Sequence, residues 1–143
     1  LTYKKMPFLR IAPICNGKIY VAPRSYQGEE PGKLDIPMED YIYACKTDTD
    51  KYAKEVENKY SNHITGQPEP RFSLKHLVKE TNGVKKTIML YILPLNDEEQ
   101  IHFTGGKFVT PEEIEMNSAQ YSSFLKEEID HLNIVTQMWE EFK

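Results

Sequence analysis

The sequence predicts an α+β domain: a mixed, mostly antiparallel sheet with helices packed on it. Two Asn-Gly dipeptides, Asn16–Gly17 and Asn82–Gly83, each separate apolar runs. That pattern marks tight β-hairpins, because both residue types accept positive φ. Two other stretches, one around Val56 and one from Ser118 to Phe142, repeat their apolar residues at helical spacing. The composition agrees, since 39% hydrophobic and 28% charged residues in a chain of 143 suit one core-forming domain spanning 1–143.

Phe8 to Cys15 reads as a buried strand carrying Leu9, Ile11 and Ile14, with Ile19 to Ala22 as its hairpin partner. Arg24 follows at the strand end, where an isolated charge reads first as a solvated one. Ser25 to Pro31 is a loop. Gly32 to Pro37 is expected to be a strand that runs into a further loop holding Met38, Glu39 and Asp40. Thr47 is expected to cap a helix from Asp48 to Tyr60, with Asp50 three residues on as in a capping box. Tyr52, Ala53, Val56 and Tyr60 make its apolar face, and Gly66, Pro68 and Pro70 follow as turn chemistry.

Arg71 to Glu80 and Val84 to Leu95 flank the second Asn-Gly. The run Thr87 to Leu93 is the most apolar in the chain and predicts a central strand. Asp97 to Gln100 is a polar turn, and Ile101 to Val109 reads as a strand interrupted at Gly105–Gly106. Thr110, Pro111 and Glu113 supply a cap, a first-position proline and an acidic third position, so a helix starts there. Ser118 to Phe142 is helical, and Asn133 is expected to divide it in two. Phe124, Leu125, Ile129, Leu132, Val135, Met138, Trp139 and Phe142 form its stripe. The stripe reads as an ordinary packing face, with a partner-binding surface as the alternative.

Several function classes drop out on composition. Net charge is −4 and no dense Lys/Arg run occurs, which excludes a nucleic-acid backbone binder. No apolar run is long enough to insert in a bilayer, and Pro7 follows Leu1–Met6 where a leader would need an apolar core. Cys15 and Cys45 form neither a disulfide framework nor a CxxC motif, so a cytoplasmic setting is the simplest expectation. A chain opening on Leu1 is either trimmed or cut from a longer protein. His63, His76, His102 and His131 lack metal-ligand spacing and read as surface or locally bonded rings. No phosphate-binding glycine loop or nucleophile elbow is present, and Cys45 has no basic neighbour to activate it.

Residues 32–62 read GKLDIPMEDYIYACKTDTDKYAKEVENKYSN. This segment resembles the Nudix family, whose members read PGKWxxPGG and then G-x5-E-x7-R-E-U-x-E-E-x-G-U, U being aliphatic. Phe108 to Ile114 is similar to the family's W-x-x-x-E-E-[IL] segment, and Arg24 falls where many members carry an arginine after a strand. The resemblance implies an α/β/α sandwich. With Lys54-Glu55-Val56 set on R-E-U, only Glu55 and Val56 match, and Lys54 conserves the charge. Asp40 and Lys46 replace the first Gly and Glu of the box, Asn58 and Lys59 the paired glutamates, and Ser61 and Asn62 the final Gly and aliphatic residue. Met38-Glu39 replaces the usual Gly-Gly, bringing bulk and a negative charge toward any phosphate.

The chemical expectation follows from charge. Mg2+ takes hard oxygen ligands, and Glu55 shares a helix face with position 59. A lysine there repels the ion. Glu57, two residues from Glu55, points elsewhere; Glu39 and Asp40 are the acids that could reach in. The resemblance therefore implies a Nudix-like domain without catalytic residues, metal or other cofactor, in which Arg24, Glu39, Lys54, Glu55 and Lys59 contact a small or nucleotide-like ligand. Within the family, the opening LRIAPICNGKIYVAPR is similar to degenerate Nudix domains appended on the cytoplasmic side of some bacterial sodium/proton antiporters. The alternatives are a divergent Mg2+-dependent hydrolase of nucleoside-diphosphate derivatives, with Glu55 as its catalytic and metal-binding residue, and a protein-interaction domain.

Overall fold

The computed structural model describes residues 8–41, 49–79 and 85–142, with backbone only at 77–79 and 85. Among them, one sheet carries β1 (Phe8–Cys15), β2 (Lys18–Pro23), β3 (Leu34–Asp35), β4 (Met38–Tyr41), β5 (Arg71–Lys79), β6 (Lys85–Pro94) and β7 (Lys107–Val109). The helices are α1 (Thr49–Lys59), α2 (Pro111–Met116) and α3 (Ser123–Glu141). The strand order is β3-β2-β1-β6-β5, with β4 added to β1 and β7 to β2. β1 is the hub: parallel to β6, antiparallel to β2 at its end and to β4 at its start.

Every residue of β1 is buried, because both faces of the sheet are covered. Leu9 and Ile11 join Met38, Tyr91 and Leu93 against Ala53 and Val56 of α1. Ala12 and Ile14 join Ile36, Leu90 and Ile92 against Ile114 of α2 and Leu125, Ile129 and Leu132 of α3. The layers are thus helix, sheet, helix, as the α+β reading expects.

The first hairpin turns at Asn16 and Gly17 with φ of 53° and 74°, the primed geometry that matches strand twist. The second Asn-Gly and the expected cap Thr47 lie outside the described residues, but β5 and β6 pair antiparallel up to Lys79 opposite Lys85. Thr110 accepts a hydrogen bond from the Glu113 amide at 3.2 Å, and Pro111 opens α2.

Three expectations are corrected. Met38–Asp40 is not a loop. It lies in β4, because Met38 alternates into the α1 core and Arg10 stands opposite Glu39 in the β1 ladder. The strand expected over Ile101–Val109 is reduced to β7. The Tyr20 hydroxyl takes the Phe103 amide at 2.8 Å, and Gly105 turns the chain at φ 73°. Asn133 does not divide the last helix. α3 runs through it, and its break lies earlier, where the Ser122 hydroxyl caps the Leu125 amide at 3.1 Å.

Candidate functional site

α1 turns three faces in three directions. Ala53 and Val56 enter the core. Glu55 and Lys59, one turn apart, are exposed, and the Lys59 ammonium bonds the Asp40 carboxylate of β4. Lys54, Glu57 and Asn58 line a third face, which with Ser61, Ile64, Gly66 and Gln67 borders a cleft of about 330 Å³. There Lys54 Nζ donates to Glu57 Oε2 at 3.0 Å and to the Pro68 carbonyl at 3.3 Å. Burial, assisted by the charge of Glu69, pushes the Glu57 carboxyl up despite Lys54.

Across the sheet, under α3, lies a network of charges. Arg10, wholly buried, donates from Nη2 to Asp35 Oδ1 at 2.7 Å and to Glu128 Oε1 at 2.7 Å, and from Nη1 to Glu39 Oε2 at 2.6 Å. Arg24 Nη1 reaches Asp35 Oδ2 at 2.5 Å and Glu39 Oε1 at 3.1 Å. Both guanidiniums stand over the Phe124 ring, 5.3 and 5.5 Å from its centroid. Burial works against the Arg10 charge, yet Asp35 and Glu128 hold it protonated well above its ordinary range. Burial would also raise the Asp35 carboxyl, but Arg10 and Arg24 outweigh it and hold it low. Glu39 goes the other way: burial and the neighbouring Asp35 charge push it up despite both arginines.

The network reaches β5, where His76 Nε2 lies 3.1 Å from Glu128 Oε2. Next to it His131 Nε2 lies 2.6 Å from the Ser73 hydroxyl. Burial, with the His76 charge, lowers the His131 pKa against the pull of Glu128.

The five residues singled out from sequence therefore separate. Arg24 and Glu39 meet in the network; Lys54 lines the cleft; Glu55 and Lys59 sit on the exposed face of α1. Arg24 is not the solvated charge expected, its side chain being 13% exposed and paired to Asp35 and Glu39. Glu39 faces guanidiniums of the same sheet rather than a phosphate. Glu55 and Glu57 do point apart, as their spacing requires. Arg10, Asp35 and Glu128 were missed. Arg10 is the one charge inside an otherwise uncharged strand, and Glu128 occupies the apolar register of Leu125 and Leu132, so the sequence held a trace of both.

No family model matches the sequence, and no curated protein matches it. The fold itself is shared with solved structures. A Nudix hydrolase from Nitrosomonas europaea superimposes with a TM-score of 0.64 at 11% identity, covering 93% of this chain and 91% of that one. The Nudix hydrolase RenU from M. smegmatis gives 0.60 at 12% identity, covering 96% and 90%. The C-terminal domain of mouse MUTYH, solved in complex with human PCNA, gives 0.56 at 16%, covering 97% and 90%. The chain thus has a Nudix-like fold.

Proposed function

We propose that this chain is a non-catalytic Nudix-fold domain, a binding or regulatory module rather than a hydrolase. The carrying observation is where the carboxylates go. Asp40 is bonded to Lys59, Glu57 to Lys54, and Asp35, Glu39 and Glu128 to Arg10 or Arg24. A divalent ion on the exposed face of α1 would meet Glu55 with an ammonium one turn away. Mg2+ needs an octahedron of oxygens, usually with one or two carboxylates, so this donor set does not fit it.

The test is turnover. Purified protein with nucleoside-diphosphate derivatives and millimolar Mg2+ or Mn2+ should release no product above buffer. Release that falls on Glu55→Gln would overturn the reading in favour of the divergent hydrolase. Calorimetry with nucleotides and nucleotide sugars then separates a ligand-binding role from a docking one.

For its setting, we propose a cytoplasmic appendage of a larger protein, a sodium/proton antiporter on the resemblance of residues 9–24. The MUTYH neighbour supports the general form, a Nudix-like fold serving as the C-terminal domain of a longer chain in a protein complex. No described helix is long and apolar enough to cross a membrane. Coding sequence upstream of Leu1 decides the matter: a series of hydrophobic spans is expected, and a different parent would remove the antiporter.

A further inference from the structure

We propose that the cleft between α1 and residues 61–67 receives a small organic cation, an alkylammonium or guanidinium compound, through the carboxylate of Glu57. The inference rests on the reading of the chain as a binding module and names a ligand class for it. The cleft is distinct from the exposed Glu55–Lys59 face, since Glu55 stands roughly 100° around the helix from Lys54.

The chemistry of the walls selects a cation. Glu57 is 5% exposed, a depth at which a carboxylate needs a partner. One of its oxygens accepts from Lys54. The other has no hydrogen bond to a described residue, and no buried side-chain oxygen among those residues lacks a partner. That second oxygen therefore opens on the cleft. Asn58, Ser61 and Gln67 line the same cleft as polar residues, and Ile64 offers an apolar wall for methylene groups. Lys54 already shows the mode of binding, its ammonium shared between the carboxylate and the Pro68 carbonyl. At about 330 Å³ the space is at the lower end of small-molecule sites, suited to an amino acid or diamine rather than a nucleotide.

Uniformly 15N-labelled protein titrated with arginine, and separately with putrescine, tests this. Saturable amide shifts are expected across residues 54–67 with one or both, and none with glutamate. A response to arginine alone assigns a guanidinium; a response to putrescine assigns an alkylammonium. Glu57→Gln should weaken binding tenfold or more, and Lys54→Met, which removes the resident ammonium, should tighten it. If Glu57→Gln fails to fold, Lys54→Met carries the test, and weaker binding there overturns the proposal. So does the absence of saturable shifts with either cation, or shifts centred on Glu55 and Lys59. Silence in this titration leaves the turnover result of the preceding section untouched, and turnover there would not move the shifts here.

Discussion

Arg10 and Glu128 stand 118 residues apart in sequence and share three hydrogen bonds of 2.7 to 3.1 Å, with neither side chain exposed. Their contact ties β1, the hub of the sheet, to α3. Removing one partner strands the other in a dry interior, which costs about 3–5 kcal/mol. Arg10→Met should be worse than Glu128→Gln, because it leaves Asp35 and Glu128 facing each other without their common cation. In urea melts, Arg10→Met combined with Glu128→Leu should destabilise by less than the two single changes added together. Simple additivity would show that the contact is not energetically coupled.

The same network and the neighbouring His131 make stability depend on pH in three windows. Asp35 is held below its ordinary value of 3.8, so its contribution is intact above that pH and is lost as pH falls through the lower folded value. Glu39 is raised above 4.5, so its contribution is full below that pH and is lost as pH rises through the folded value. His131 is lowered below 6.5, and stability should fall as pH drops from there toward its folded value. Urea midpoints between pH 3 and 8 should show the loss below 6.5 disappear in His131→Asn, and the acid-limb loss below 3.8 shrink in Asp35→Asn.

Restoring carboxylates should restore an ion site. Asn58→Glu with Lys59→Glu would set two new acids beside Glu55, the second of them sharing its face at i, i+4. Mn2+ should then broaden amide resonances around Glu55 in the variant while leaving those of the natural sequence sharp. Equal broadening in both would defeat the electrostatic explanation of why this helix face is silent.

The apolar stripe of α3 divides in two. Leu125 and Leu132 are fully buried, whereas Met138 and Phe142 are 50% and 81% exposed. Leu132→Ala should cost about 2–5 kcal/mol in a chemical melt. Phe142→Ser should stay within about 0.5 kcal/mol of the parent, as surface changes generally do. A large loss from Phe142→Ser would mean that this end of the helix packs against something.

Local rules determined much of this protein from the sequence alone. Hairpin dipeptides, helix caps and the 3.6-residue period located the strands of the first hairpin, the core of α1, the start of α2 and most of α3, because those preferences act over a few residues. Nothing local showed that Met38 to Tyr41 would pair antiparallel with β1, since that register sets Arg10 opposite Glu39 across the sheet. Nor could it reveal that Arg24, the charge expected in solvent, would share two carboxylates with Arg10. Charge pairing over such separations depends on which layers the sheet brings together, and only the folded chain decides which carboxylate a buried guanidinium meets.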